Sequence, residues 1–177
     1  MQSFRLKKEK GFTLFEIIMT ILVGSIIIPP IILMIVTALR SPVVMTNTIQ
    51  GNSLASDMME EILSKRWDEN STGEGPISDD DKTPPDQLGP ESGETRSTFD
   101  DVDDYNNYSE SPPVDRNGQV LTDFSNYTRK VEVYYVYGAQ TGDYETKINE
   151  KSNFKKIVVT VTGPDTENKL ISIVSNR

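Results

Sequence analysis

From Phe12 to Leu39 the chain reads FTLFEIIMTILVGSIIIPPIILMIVTAL, an apolar run whose one charged side chain is Glu16. A helix of about 28 residues, rising about 1.5 Å per residue, reaches about 42 Å and exceeds the roughly 30 Å hydrocarbon core of a bilayer. The run is therefore long enough to cross a membrane. Arg5, Lys7, Lys8 and Lys10 stand just before it, and basic residues beside a span favour the cytoplasmic side, which sends the rest of the chain outward. Arg40-Ser41-Pro42-Val43 follows instead of a small-residue signal-peptidase site, so the apolar segment is expected to be kept. Pro29 and Pro30 remove two backbone donors, and Gly24 adds a soft point; a kink or a melted turn is expected there.

Glu16 is the costly residue. An ionised acid inside a span costs about 2.5–3.5 kcal/mol or more unless it finds a partner, and the run holds no Lys, Arg or His. A cut between Gly11 and Phe12 would create an amine four residues from that carboxylate. Basic residues, then Gly11-Phe12-Thr13-Leu14-Phe15-Glu16, then a long apolar helix: this pattern resembles the type IV pilin and pseudopilin family. The resemblance implies cleavage after Gly11 by a prepilin peptidase, methylation of the new terminal Phe12, and pairing of Glu16 with a terminal amine during assembly. A weaker likeness, in Glu60-Glu61-Ile62-Leu63 and the stretch FDDVDDY, is to the minor pilins of the MSHA and PilV-like kind. An ordinary signal anchor that tolerates one Glu near its end is the competing explanation.

Beyond the run the hydrophobic period changes. Leu54, Met58 and Ile62 recur at i, i+4 and i+8 beside Ala55, Met59 and Leu63, which predicts an amphipathic helix reaching about Trp67. Glu61 and Lys65 are spaced for an i, i+4 ion pair on it. Residues 68–125 turn to Asp, Glu, Ser, Pro and Gly, and read as a loop or disordered linker. The last third alternates, with Val131, Val133, Tyr135 and Tyr137 in one run, Ile157, Val159 and Val161 in the next, and Ile171 and Ile173 in the last. Gly163 to Asn168 punctuates the last two runs as a hairpin, and Gly138 to Asn153 reads as a longer connection. The expected fold class is α+β: a long N-terminal helix packed on a small antiparallel sheet, pilin-like, with a long acidic loop. Its parts are a basic leader 1–11, a membrane or filament-core helix 12–40, the amphipathic half of the helix 41–67, the acidic loop region 68–125 and the sheet 126–177.

The net charge of −9 is unevenly spread. The leader carries about +3, residues 12–67 about −1, residues 68–125 about −13 and residues 126–177 about +2. An acidic middle repels phosphate, so no nucleic-acid partner is expected. With no Cys and no His, thiolate chemistry and the commonest general base are excluded. No P-loop, G-x-G-x-x-G or G-x-S-x-G sequence occurs, and no enzymatic activity is expected. Asp100, Asp101, Asp103 and Asp104 crowd into five residues and could offer oxygens to Ca²⁺, without the spacing of an EF-hand. A solvated acidic turn anchored by Phe99, Val102, Tyr105 and Tyr108 explains the same cluster; otherwise no cofactor is expected.

Two functions follow. In the first the chain is a structural subunit of a type IV pilus or a type II secretion pseudopilus. The resemblance then implies a bacterial inner-membrane store with the C-terminal domain outside, and as partners other pilin subunits, the prepilin peptidase and the assembly platform, with Phe12 to Leu39 in the membrane. In the second it is an inner-membrane-anchored binding protein whose acidic loop takes a cation and which does not polymerise.

Overall fold

The structure, a computed structural model, describes residues 11–73, 75–139 and 141–177, without the side chains of residues 40–42. The basic leader, with Arg5, Lys7, Lys8 and Lys10, lies outside the described residues. The chain divides into two units that meet between Val43 and Val44. One helix, α1 (Leu14–Leu63), supplies residues to both.

In the first unit α1 is apolar on every side, and its large side chains are exposed from Leu14 to Leu39. It is long and apolar enough to cross a membrane. Its few hydroxyls turn back onto the backbone: Thr20 Oγ1 donates to the Glu16 carbonyl (2.7 Å), Ser25 Oγ to Leu22 (2.8 Å) and Thr37 Oγ1 to Leu33 (3.0 Å). Such bonds leave little unpaired polarity on this apolar surface. Pro29 and Pro30 do not interrupt the helix, contrary to a melted turn. Each ring fixes φ near the helical value, while the Ser25 and Ile26 carbonyls lose the amide donors they would have used.

The second unit is α+β. Strands β1 (Ser109–Glu110), β2 (Thr128–Gly138), β3 (Asp143–Lys147), β4 (Phe154–Thr162) and β5 (Glu167–Ser175) form one antiparallel sheet in the order β1-β2-β4-β5, with β3 also on β2. Leu54, Ala55, Met58, Met59 and Ile62 of α1 pack on Val131 and Val133 of β2 and on Ile157, Val159 and Val161 of β4. Each large side chain so buried contributes about 1.5–3 kcal/mol. Gly51 lets the β4–β5 hairpin approach the helix, since a Cβ there would meet Asn168 Oδ1 at 2.4 Å.

Four expectations change. The connection from Gly138 to Asn153 contains β3, which folds back on β2 after Gly138 takes φ +77°. The strict alternation of β2 slips between Val136 and Gly138, so that Val136 is buried and Tyr137 exposed. Helix α1 stops at Leu63 rather than near Trp67, because Arg66 turns away to form a parallel bridge with Asp101, closed by Arg66 N–H to the Asp100 carbonyl (3.1 Å) and Val102 N–H to the Arg66 carbonyl (2.9 Å). Lys65, past the helix end, binds the Phe99 carbonyl, and Glu61 pairs with Arg96 instead.

Residues 68–125 are mostly irregular, yet they are not a free linker. Asp68, Lys82, Leu88, Phe99, Val102 and Tyr105 are all buried. Phe99, Tyr105 and Tyr108 stack edge to face with centroids 5.0–6.4 Å apart. Aromatics in an acidic sequence supply the apolar area that the aliphatic count withholds.

Candidate functional site

The N-terminal residues form the first place of interest. Gly11 and Phe12 precede α1 and are exposed. Among the described residues nothing lies within 4 Å of where a Cβ at Gly11 would stand, so their packing does not demand glycine there. Thr13 and Glu16 form a long-armed capping box, in which Glu16 N–H donates to Thr13 Oγ1 (3.3 Å) and Thr13 N–H to Glu16 Oε2 (3.4 Å). The T-x-x-E spacing that carries this cap is visible in the sequence.

The second place surrounds a short 3-10 helix, Asp103–Tyr105, which the acidic run makes. Its aspartates do not converge on one centre. Asp101 Oδ1 accepts the N–H groups of Asp103 (2.8 Å) and Asp104 (3.2 Å), while Asp104 Oδ2 accepts those of Asp100 (2.8 Å) and Asp101 (3.0 Å). The two carboxylates thus close the turn reciprocally. Asp100 Oδ2 takes Arg66 Nη2 at 2.5 Å, and Asp103 Oδ1 takes Lys155 Nζ at 2.5 Å. Only one carboxylate oxygen of Asp104, Oδ1, is left buried without a hydrogen-bond partner.

Lys155 is the residue that sequence reading missed. Fully buried on β4, it donates to Asp68 Oδ2 (3.0 Å), Asp103 Oδ1 and the Trp67 carbonyl (2.9 Å), and sits 4.2 Å above the Trp67 ring. Three ammonium protons meet three acceptors under an aromatic face, which is what a buried cation requires. Two adjacent lysines at the start of an apolar strand were the available signal. A second network joins α1 to the loop. Arg96 grips Glu61 through Nε (3.0 Å) and Nη2 (2.8 Å) and reaches Glu110 through Nη1 (2.9 Å). Tyr105 and Tyr108 donate to Glu61 and Glu110 at 2.9 and 2.7 Å, and Arg129 completes the pair with Glu110. A bidentate arginine fixes geometry as well as charge.

Burial sets the acidities, and partners then decide their sign. Burial opposes charge on Asp68, but Lys155 and the hydrogen bonds from Thr83 and Asn70 outweigh it and hold the carboxyl below its ordinary value. Burial likewise opposes charge on Glu61, and Arg96 outweighs it with help from Tyr105. Asp101 has no such cation in contact: burial, then the neighbouring Asp103 and Asp104, push its carboxyl up to about 9. Partial desolvation and the Glu94 carboxyl push Glu91, an exposed residue, up to about 7.

These networks fix the loop region to the sheet and helix of the second unit, whereas Gly11, Phe12 and Glu16 belong to the first. Against known proteins, the chain matches no family model, no curated protein and no solved structure.

Proposed function

We propose that the chain is a structural minor pilin or pseudopilin, cut after Gly11, methylated at Phe12 and drawn from the membrane into a filament through α1. The observation that carries this reading is a glycine with no local duty in front of an apolar helix that retains one acid. The fold of the second unit, an amphipathic helix half laid on an antiparallel sheet, agrees with a pilin-like architecture. In this mechanism the apolar segment exchanges lipid for neighbouring helices and keeps its surroundings apolar throughout. Glu16 leaves its cap with Thr13 and pairs with the methylated amine of an adjacent subunit, so that neither charge is buried alone.

The capping box favours a second reading, in which Glu16 serves only to start the helix and the chain is an anchored protein that never assembles. Expressed in a host with its own assembly machinery, the wild type should appear in sheared surface filaments as well as in membranes. Glu16→Ala should still be cleaved and yet be depleted from the filaments. Incorporation of Glu16→Ala at the wild-type level would refute the pairing role, and confinement of the wild type to membranes would refute assembly.

A further inference from the structure

We propose that Glu91, Glu94 and Asp104 form a binding site for one hard divalent cation of the calcium class. Each offers one carboxylate oxygen, and the three oxygens lie within 4.8 Å of one another. Ligands at about 2.3–2.6 Å from one Ca²⁺ stand no more than about 5 Å apart, so one such ion can touch all three oxygens, whereas Mg²⁺ demands a stricter octahedron. With no Cys or His in the chain, thiolate and imidazole donors are absent, and carboxylate oxygens suit a hard cation.

A crowd of acids alone would prove little, and a second trio in the same region shows the contrast. Glu69, Asp100 and Asp101 are equally close, but Arg66 already pairs with Glu69 at 3.1 Å and with Asp100, and Asp101 Oδ1 is spent on two N–H groups. Among the described residues no basic side chain forms an ion pair with Glu91, Glu94 or Asp104. Asp104 is 1% exposed, its Oδ2 holds two N–H groups and its Oδ1 has no hydrogen-bond partner. A buried carboxylate oxygen without a donor costs free energy that a cation would recover.

The ligands are also held in place before any ion arrives. The Glu91–Glu94 turn is closed by Glu94 N–H to the Glu91 carbonyl (3.1 Å) and Glu91 N–H to Glu94 Oε2 (3.2 Å). Asn106 then ties this loop to the sheet, donating Nδ2 to the Leu88 carbonyl (2.9 Å) and accepting Val133 N–H on Oδ1 (3.1 Å). Glu91 is exposed, which leaves room for water to complete the shell. None of this depends on whether the chain enters a filament.

The test is calorimetric titration of the full chain in detergent micelles, stripped with EDTA, using CaCl₂ and then MgCl₂. One calcium should bind with a dissociation constant of about 0.1–1 mM, and Mg²⁺ at least about tenfold more weakly. Glu91→Gln and Asp104→Asn should each weaken calcium about tenfold or more, while Asp100→Asn, from the neutralised trio, should stay within about twofold. Glu91→Gln lies on the rim and keeps the test valid should Asp104→Asn misfold. Absence of heat up to about 10 mM CaCl₂, unchanged affinity in Glu91→Gln, or a loss that falls on Asp100→Asn instead would overturn the site.

Discussion

Ile26 and Ile62 belong to one helix, yet Ile26 is 67% exposed and Ile62 is wholly buried. The difference lies in what surrounds the helix rather than in its backbone. Around Ile62 the apolar residues form a stripe, and the chain supplies its own sheet to cover them. Around Ile26 they occupy every face, and the large apolar side chains from Leu14 to Leu39 are exposed. The first half is long and apolar enough to cross a membrane. The second half is written for water on one side and Val131, Val133, Ile157 and Val159 on the other.

The comparison breaks if the two halves respond alike to mutation. The largest effect is expected at the buried cation of the second unit, where Lys155→Met leaves Asp68 and Asp103 without their shared partner. It should cost about 3–5 kcal/mol in urea unfolding, followed by the fluorescence of Trp67, the single tryptophan, which stacks over Lys155. Next, Met58→Ala should destabilise by about 2–5 kcal/mol in the same assay. Ile26→Ala should leave that unfolding midpoint unchanged, because its side chain is 67% exposed and has little packing to lose. A shift of similar size for both would mean that the halves share one core.

A smaller effect, per pH unit, comes from the acids. Asp101 has a folded pKa raised from the ordinary value to about 9. Its contribution is therefore fully present below the unfolded pKa and is lost as pH rises through the folded one. Asp68 and Glu61 are lowered, so they lose stability only in more acidic solution. Between about pH 5 and 8 the second unit should thus become less stable as pH rises, by at most about 1.4 kcal/mol per unit for one proton. Asp101→Asn, which keeps the Oδ1 acceptor, should flatten that slope; an unchanged slope would show that Asp101 folds ionised.

Much of this was readable beforehand. The stripe of Leu54, Met58 and Ile62 and the alternation of Val131 with Val133 and Ile157 with Val159 declare periods of 3.6 and 2 through local spacing alone. The 68–125 region hid its structure because what orders it is long-range. Lys155 meets Asp68 and Asp103, and Arg96 meets Glu61 and Glu110, across separations that no window of residues displays. The same holds for the acidic cluster. Its spacing could suggest a cation, but not that Asp101 and Asp104 spend oxygens on each other's turn while Glu91 and Glu94 arrive from another loop. Strand β3 was missed because a five-residue edge strand of mixed polarity, DYETK, carries little pattern.

The most direct test of the account is the intact mass of the protein extracted from membranes of its native host. The filament reading predicts a chain that begins at Phe12 and carries one added methyl group. A chain that still begins at Met1, in cells with an active prepilin peptidase, would contradict it.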